Sequence, residues 1–411
     1  MNNIKNIILC NSINAKVFSS GKEVYIVGGY LRDVLLGEEA KDIDYIVRGD
    51  IREFALELLV QERKTKARNL LDNATIVELK KEQMIRIVLR DGMTLDFTEL
   101  RGKLEDNLRE RDFTMNALAW SPNTGISDPT HGIKDIKRKV INAISMDNFR
   151  NDPLRLLRVY RFVSELGWKA DSKTRRMVSQ LTSNIKKSAS ERITQEFLKL
   201  LDSKNYQDAL KMALDDRLLE SFISLSRKKI SGNIRALSHL ESRIRKLPLK
   251  YKESLDKPFS QELTYKGLLR LEQALSGSVL NENRLRLSRS ILERLKITHK
   301  LATCSLSPQA TRRGEQLATV SKMFDAFSEA KDALPDILIL TGNIKLLKHA
   351  ERFKKIWKKS FLTAEEIMKA TGLKSGVELG KLIYRLKKME FEGKLKTKKE
   401  AVKWLNSKDN R

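Results

Sequence analysis

Gly28-Gly29-Tyr30-Leu31-Arg32-Asp33 and, a few residues on, Asp42-Ile43-Asp44 form the most informative run of this 411-residue chain. Just upstream, Glu23 to Val27 reads as a strand, and the glycine pair ends it. Arg32 to Leu36 reads as a short helix closed by Gly37, and Asp42 to Val47 as a second strand rich in Ile, Tyr and Val. Paired glycines let a backbone approach a ligand closely, and the following helix N-terminus favours an anion. Gly29 and Arg32 are therefore candidate phosphate-binding residues, although a Gly-Gly turn alone is usually just a turn. Asp42 and Asp44 change the weighing. Residues i and i+2 of a strand share a face, and two carboxylates held that close repel unless something compensates. A pair of Mg²⁺ ions would do so, and two metals bridging a triphosphate and a hydroxyl suit in-line nucleotidyl transfer. Asp96, in the strand-like run Thr94 to Thr98, is a third candidate carboxylate or general base.

Outward from this run, residues 51–63 read as an amphipathic helix. Ile85 to Leu89 and Met93 to Phe97 read as strands joined by the turn Arg90-Asp91-Gly92. From Asp152 onward the apolar spacing becomes helical, with breaks expected near Pro248, Pro258, Pro308 and Pro335. Thr363 to Leu405 reads as a compact helical unit. The expected fold is α+β. A small mixed-sheet head spans 1–148, with a helical neck over 149–205, a helical body over 206–340 and a helical tail over 341–411.

The formal net charge is +27, from 80 Lys and Arg against 53 Asp and Glu, which favours a polyanionic partner. Lys- and Arg-rich segments at 225–250, 281–300 and 345–359 suit an RNA cradle, and few aromatics argue for backbone and shape recognition over base stacking. Two distant cysteines, Cys10 and Cys304, point to neither a disulfide framework nor a zinc site. No apolar run long enough for a membrane span and no convincing signal peptide are found, so a cytoplasmic location is expected. The oligomeric state is left open.

Three further motifs make a resemblance specific. Arg111-Asp112-Phe113-Thr114-Met115-Asn116-Ala117-Leu118 follows the head strands. Asn151-Asp152-Pro153-Leu154-Arg155-Leu156-Leu157-Arg158 runs on to Arg161-Phe162. Glu191-Arg192-Ile193 with Glu196 comes later. Together with the opening run they resemble the polymerase-β-like nucleotidyltransferases, in particular class II tRNA nucleotidyltransferases and bacterial poly(A) polymerases. The resemblance covers about the first 200 residues. It implies a metal-dependent enzyme that adds cytidine from CTP, and in full CCA-adding members adenosine from ATP, to the tRNA 3′ end.

The resemblance also implies roles for the later motifs. Arg111 would face the triphosphate and Asp112 would accept a ribose 2′-hydroxyl. Asp152-Pro153 has a plain structural reading as a helix start, with Asp at the N-cap and Pro at the first turn. Arg155, Arg158 and Arg161 fall in an arc of roughly 120° on one helix, flanking its core-facing side, and such a stripe can be solvated and idle. Beside a nucleotidyltransferase head, Asp152 would accept from the exocyclic amine of C or A and Arg155 would donate to the same base edge. Arg158 and Arg161 would lie along the base or phosphates.

The sequence departs from the family pattern at Asn151, where Glu is usual, and at Glu110, where a second Arg is common. It departs again in the short segment Phe97 to Leu108, where CCA-adding members carry a longer flexible loop. CC addition and full CCA addition both remain open. Poly(A) synthesis ranks lower, because Ala67 to Thr75 shows no aromatic and basic run. A non-catalytic RNA-binding protein with a degenerate head ranks lower still, because Arg32, Asp42, Asp44 and Arg111 are all in place.

Overall fold

The computed structural model describes residues 2–40, 42–63, 74–80, 84–302 and 320–407. Contacts divide the chain into two units, Met1–Phe222 and Ile223–Arg411.

The first unit carries a seven-stranded sheet among the described residues. Its strands are β1 (Val24–Val27), β2 (Asp42–Val47), β3 (Thr75–Lys80), β4 (Met84–Val88), β5 (Thr94–Glu99), β6 (Ala119–Ser121) and β7 (Gly125–Ser127), in the order β3-β4-β5-β2-β1-β6-β7. β2 and β5 pair in parallel, and the other neighbours are antiparallel. Two helices, α1 (Asn2–Cys10) and α2 (Ser12–Ser19), precede the sheet, and α3 (Gly29–Leu36) and α4 (Ile51–Arg63) follow β1 and β2. Gly37 stops α3 in the left-handed conformation, with its N–H on Asp33 and Val34 carbonyls. Tyr45 stacks on Phe97, which Phe54 of α4 meets edge-on. Buried Asn14 ties the N-terminal helices to this core, donating to the Ile8 carbonyl and the Tyr30 hydroxyl and accepting from Tyr45.

β5 leads through Leu100-Arg101-Gly102-Lys103 into α5 (Leu104–Arg109). Leu100, Leu104 and Leu108 pack against Val27, Ile46, Ala117 and Ala119. After α6 (Gly132–Arg138) come α7 (Met146–Asn151), α8 (Arg155–Leu166), α9 (Ser172–Leu181), α10 (Ser190–Asp202) and α11 (Tyr206–Asp215). A two-stranded parallel pair, β8 (Val140–Ile141) with β9 (Lys169–Ala170), interrupts these helices.

The second unit is helical: α12 (Arg227–Arg245), α13 (Leu249–Leu255), α14 (Tyr265–Ala274), α15 (Arg289–Ala302), α16 (Val320–Ala330), α17 (Leu334–Thr341), α18 (Leu347–Lys358), α19 (Ala364–Thr371), α20 (Val377–Glu392) and α21 (Lys398–Leu405). The last three helices share a small core of Ile367, Leu386, Ala401 and Leu405, and a Thr363–Glu366 capping box starts α19. Residues 223–411 hold 42 Lys and Arg against 20 Asp and Glu, so +22 of the +27 lies in this unit.

The α+β expectation holds. The helix break expected near Pro335 lies between α16 and α17, with Pro335 in the first turn of α17, where its missing N–H costs nothing. Two details differ. Only Arg289 onward of the 281–300 segment is α-helical. Asp152 is extended and ends α7, and Pro153 and Leu154 form a tight turn before α8. The Arg155 N–H bonds the Asp152 carbonyl and the Leu156 N–H that of Pro153, so this first turn has 3₁₀ spacing. Pro308 and most of Ala67 to Thr75 lie outside the described residues. No helix among the described residues is long and apolar enough to cross a membrane.

Candidate active site

Within the first unit, the β1–α3 turn, β2, β5, the 111–116 segment and α8 surround a cavity of about 700 Å³. Every site residue chosen from sequence lines it except Asp152.

One wall is acidic. Asp42 and Asp44 sit on β2 opposite Thr94 and Asp96 of β5. Asp42 is exposed and accepts from the Thr94 hydroxyl at 2.7 Å. Burial raises the Asp44 carboxyl above its ordinary value; Arg111 opposes this, and the charges of Asp96 and Asp42 add to it. Buried Asp96 is gripped by Arg86, its register partner on β4, with Nε at 2.7 Å from one oxygen and Nη2 at 2.6 Å from the other. Asp96 is thus neutralised by a guanidinium, whereas Asp42 and Asp44 stay open to the cavity. Among the described residues, no group of three or more His, Cys, Asp or Glu forms a metal cage. Two open carboxylates held against their mutual repulsion fit a hard cation that draws its remaining ligands from a triphosphate and water.

Gly28 controls the meeting of the walls. Its φ is +77°, and a Cβ there would stand 2.9 Å from Nη1 of Arg111 and 3.1 Å from Oδ2 of Asp44. Arg111 is buried, its pKa lowered by that burial against the pull of Asp44 and Asp112. Its Nε has no hydrogen-bond partner among the described residues. A buried donor left unpaired costs about 1–3 kcal/mol, which an anion in the cavity would recover.

The opposite wall is basic. The Phe162 ring carries the guanidinium of Arg161 at 3.8 Å and those of Arg32 and Arg158 at 5.5 Å. Each cation has its own anchor. Arg32 bonds Asp33 at 2.8 Å and the Asn116 side-chain oxygen at 3.0 Å. Arg158 lies 3.0 Å from Asp112, and Arg161 pairs with Glu165 and with Glu196 of α10. Burial alone would raise the Asp112 carboxyl, but Arg158, the Asn116 amide and the Phe113 N–H outweigh it and hold it below the usual range.

The two residues expected to read the base are held by different partners. The Arg155 guanidinium donates to the main-chain carbonyls of Glu110 at 2.7 Å and Asn148 at 3.3 Å. Asp152 meets Arg192 of α10 through both oxygens, at 3.0 and 3.3 Å.

Known proteins share parts of this sequence and its fold. Residues 24–142 match the family described as Poly A polymerase head domain, and residues 168–225 match the one described as Probable RNA and SrmB-binding site of polymerase A. A CC-adding tRNA nucleotidyltransferase of Synechocystis sp. is 27% identical over 92% of this chain and 91% of its own length. The chain is thus similar to members of the tRNA nucleotidyltransferase and poly(A) polymerase family. A CCA-adding enzyme of Leuconostoc mesenteroides is 32% identical over 50% of this chain, spanning 53% of that protein. The fold matches the Thermotoga maritima CCA-adding enzyme complexed with tRNA, with a TM-score of 0.73 at 20% identity, over 98% of this chain and 97% of that one.

The site also holds residues that its sequence did not single out. Arg86 neutralises Asp96, and Asn116 links Arg32 to Asp112. Asn148 donates to the carbonyls of both Arg109 and Arg111, bracing the segment that Arg155 grips. Asn148 precedes buried Phe149 and is itself buried, and a polar residue inside a helix's buried face was the available signal.

Proposed function

We propose that this protein is a template-independent tRNA nucleotidyltransferase that adds CMP residues to the tRNA 3′ end from CTP. The observation that carries the reading is one cavity in which two open aspartates face three guanidiniums on Phe162. In the reaction, the RNA 3′ oxygen bonds to the α-phosphorus of CTP and pyrophosphate leaves. Asp42 and Asp44 would hold two Mg²⁺ ions, which supply charge neutralisation of the triphosphate and activation of the 3′-hydroxyl. Arg32, Arg111 and Arg158 orient the triphosphate. Asp112, whose Oδ2 makes no hydrogen bond to protein beyond its ion pair with Arg158, accepts from the ribose 2′-hydroxyl. Asp152 accepts the exocyclic amine of cytosine and Arg155 donates to its N3 or carbonyl. Residues 1–148 act as head and 149–205 as neck. The basic body (206–340) and tail (341–411) hold tRNA by its phosphates, on the tRNA of the cytoplasm.

Addition stops at CC in this reading. Switching to the larger adenine needs a lever beside the pocket, and here β5 reaches α5 through only four residues, Leu100 to Lys103, with Leu100 and the following Leu104 buried in the head core. Arg155 rests on two main-chain carbonyls, and among the described residues no side-chain carboxylate is hydrogen-bonded to it that could hold a second pose. One relative matched along 91% of its length is a CC-adding enzyme. Completing the acceptor end then falls to a separate ATP-dependent adenylyl transfer. The test is extension of tRNA lacking its last three nucleotides with CTP and excess ATP, read at single-nucleotide resolution. A stall at two additions is expected. Efficient third addition refutes the CC reading, long A tails favour poly(A) synthesis, and no incorporation from any nucleotide refutes the enzyme.

A further inference from the structure

The Asp152–Arg192 pair is poorly placed to stabilise the fold. The Arg192 side chain is 52% exposed and that of Asp152 27%. Ion pairs this open contribute little to stability. Its geometry is nevertheless demanding, since both guanidinium nitrogens Nη1 and Nη2 meet both carboxylate oxygens. Such a fork fixes the plane of the carboxylate, where a single bond would let it rotate.

Two other contacts point the same way. Oδ1 of Asp152 also accepts weakly from the Leu154 N–H at 3.4 Å, at the start of the turn into α8. One helical turn along α10, Glu196 pairs with Arg161 at 2.7 Å. α10 thus holds α8 and the residue just before it at two points. A carboxylate has about four acceptor positions; the fork and the Leu154 N–H leave at least one free for a base amine.

We infer that Arg192 is a positioning residue for base choice: it holds the Asp152 carboxylate in the orientation that accepts the cytosine amine and repels the uracil O4. This rests on the proposed base-reading role of Asp152. Arg192 itself need not touch the nucleotide. Losing the fork frees the carboxylate to turn aside, so that the amine of CTP loses its acceptor and the carbonyl of UTP is no longer opposed.

The experiment measures kcat and KM for CTP and for UTP on tRNA lacking its 3′ nucleotides. It compares the full-length wild type, Arg192→Gln, Arg192→Lys, Asp152→Asn and the Asp152→Asn/Arg192→Gln double variant, with thermal unfolding followed alongside. Arg192→Gln should lower the CTP-over-UTP ratio of kcat/KM at least tenfold, mainly through a raised KM for CTP, at unchanged unfolding temperature. Arg192→Lys, which keeps the charge without the fork, should recover part of the ratio, and adding Arg192→Gln to Asp152→Asn should cost nothing more. If Asp152→Asn collapses the ratio and neither Arg192 variant moves it, the inference is overturned while the base-reading role of Asp152 stands. If Asp152→Asn itself leaves the ratio unchanged, that role fails and the inference fails with it.

Discussion

Gly28 and Gly29 are adjacent and do different work. Gly28 sits at a left-handed φ, with Arg111 and Asp44 pressed against the space a side chain would fill. Gly28→Ala should therefore cost about 1–3 kcal/mol from backbone strain alone and displace Arg111, seen as lower urea stability together with slower incorporation. Gly29 begins α3, and a Cβ there would meet only the Arg32 guanidinium at an ordinary 3.5 Å. Gly29→Ala should be neutral or stabilising by up to about 1 kcal/mol, because alanine is the better helix residue. Equal damage from both substitutions would contradict this division. Asp42→Ala and Asp44→Ala should each reduce CMP incorporation on the order of a thousandfold, by analogy with the loss of other preorganised electrostatic groups. Both should keep wild-type thermal unfolding, since each removes a carboxylate from a repelling pair. Near-normal incorporation by either would end the proposed mechanism. Asp42 and Asp44 were legible because a strand alternates its faces with period two. The Arg86 grip on Asp96 was not, because cross-strand register appears in no short stretch of sequence.

Strands and helices show where sequence patterning is strong and where it fails. β2, the β4–β5 hairpin and α4 have clear periodicity, and the structure has them. β6 and β7 are three residues each, too short to alternate visibly, although Pro122-Asn123-Thr124 between them is a turn signal. β8 and β9 pair across the whole of α8, a long-range contact that local pattern cannot report. Leu108 of α5 is fully buried beneath β1 and β2. Leu108→Ala should therefore cost about 2–5 kcal/mol by urea unfolding, whereas a freely moving segment would tolerate it. In the second unit, α14, α15 and α17 bring Glu272, Arg294 and Asp336 together in the interior. Arg294 bonds Asp336 at 2.6 Å, so Asp336 is the carboxylate that ionises first. Burial, reinforced by the charge of Asp336, pushes Glu272 well above its ordinary value. A carboxyl raised in the folded state stabilises fully below its unfolded pKa, and that stability is lost as pH rises through the folded value. The unit should thus melt at lower temperature as pH rises above the ordinary carboxylate range, and Glu272→Gln should flatten that dependence. Parallel melting curves for the two proteins between pH 6 and pH 9 would refute the assignment.

At the scale of the whole chain, charge is divided unevenly. Residues 1–222 hold 38 Lys and Arg against 33 Asp and Glu, leaving a net of only +5 beside the +22 of the second unit. Binding to tRNA should therefore depend on residues 223–411 and weaken steeply with salt. If about six phosphates are neutralised, affinity should fall roughly a thousandfold between 50 and 200 mM salt. Filter binding across a salt series, on the full chain and on residues 1–222, checks both points. A flat salt response, or full affinity in the shorter fragment, would contradict them. The polyanionic partner was legible from composition alone. Which helices carry the charge follows from counting along the chain once the unit boundary is known.

The grip on Arg155 has a consequence for inheritance. Its partners are carbonyl oxygens of Glu110 and Asn148, and a carbonyl is the same atom whatever side chain is attached. The Glu110 side chain is exposed and makes no hydrogen bond to the guanidinium in this contact, so its codon can drift among lineages while the carbonyl keeps its hold. Constraint should be recorded instead at Asn148, whose amide holds the Arg109 and Arg111 carbonyls on either side of Glu110. A position that matters physically can thus leave no trace in the residues that descendants carry there.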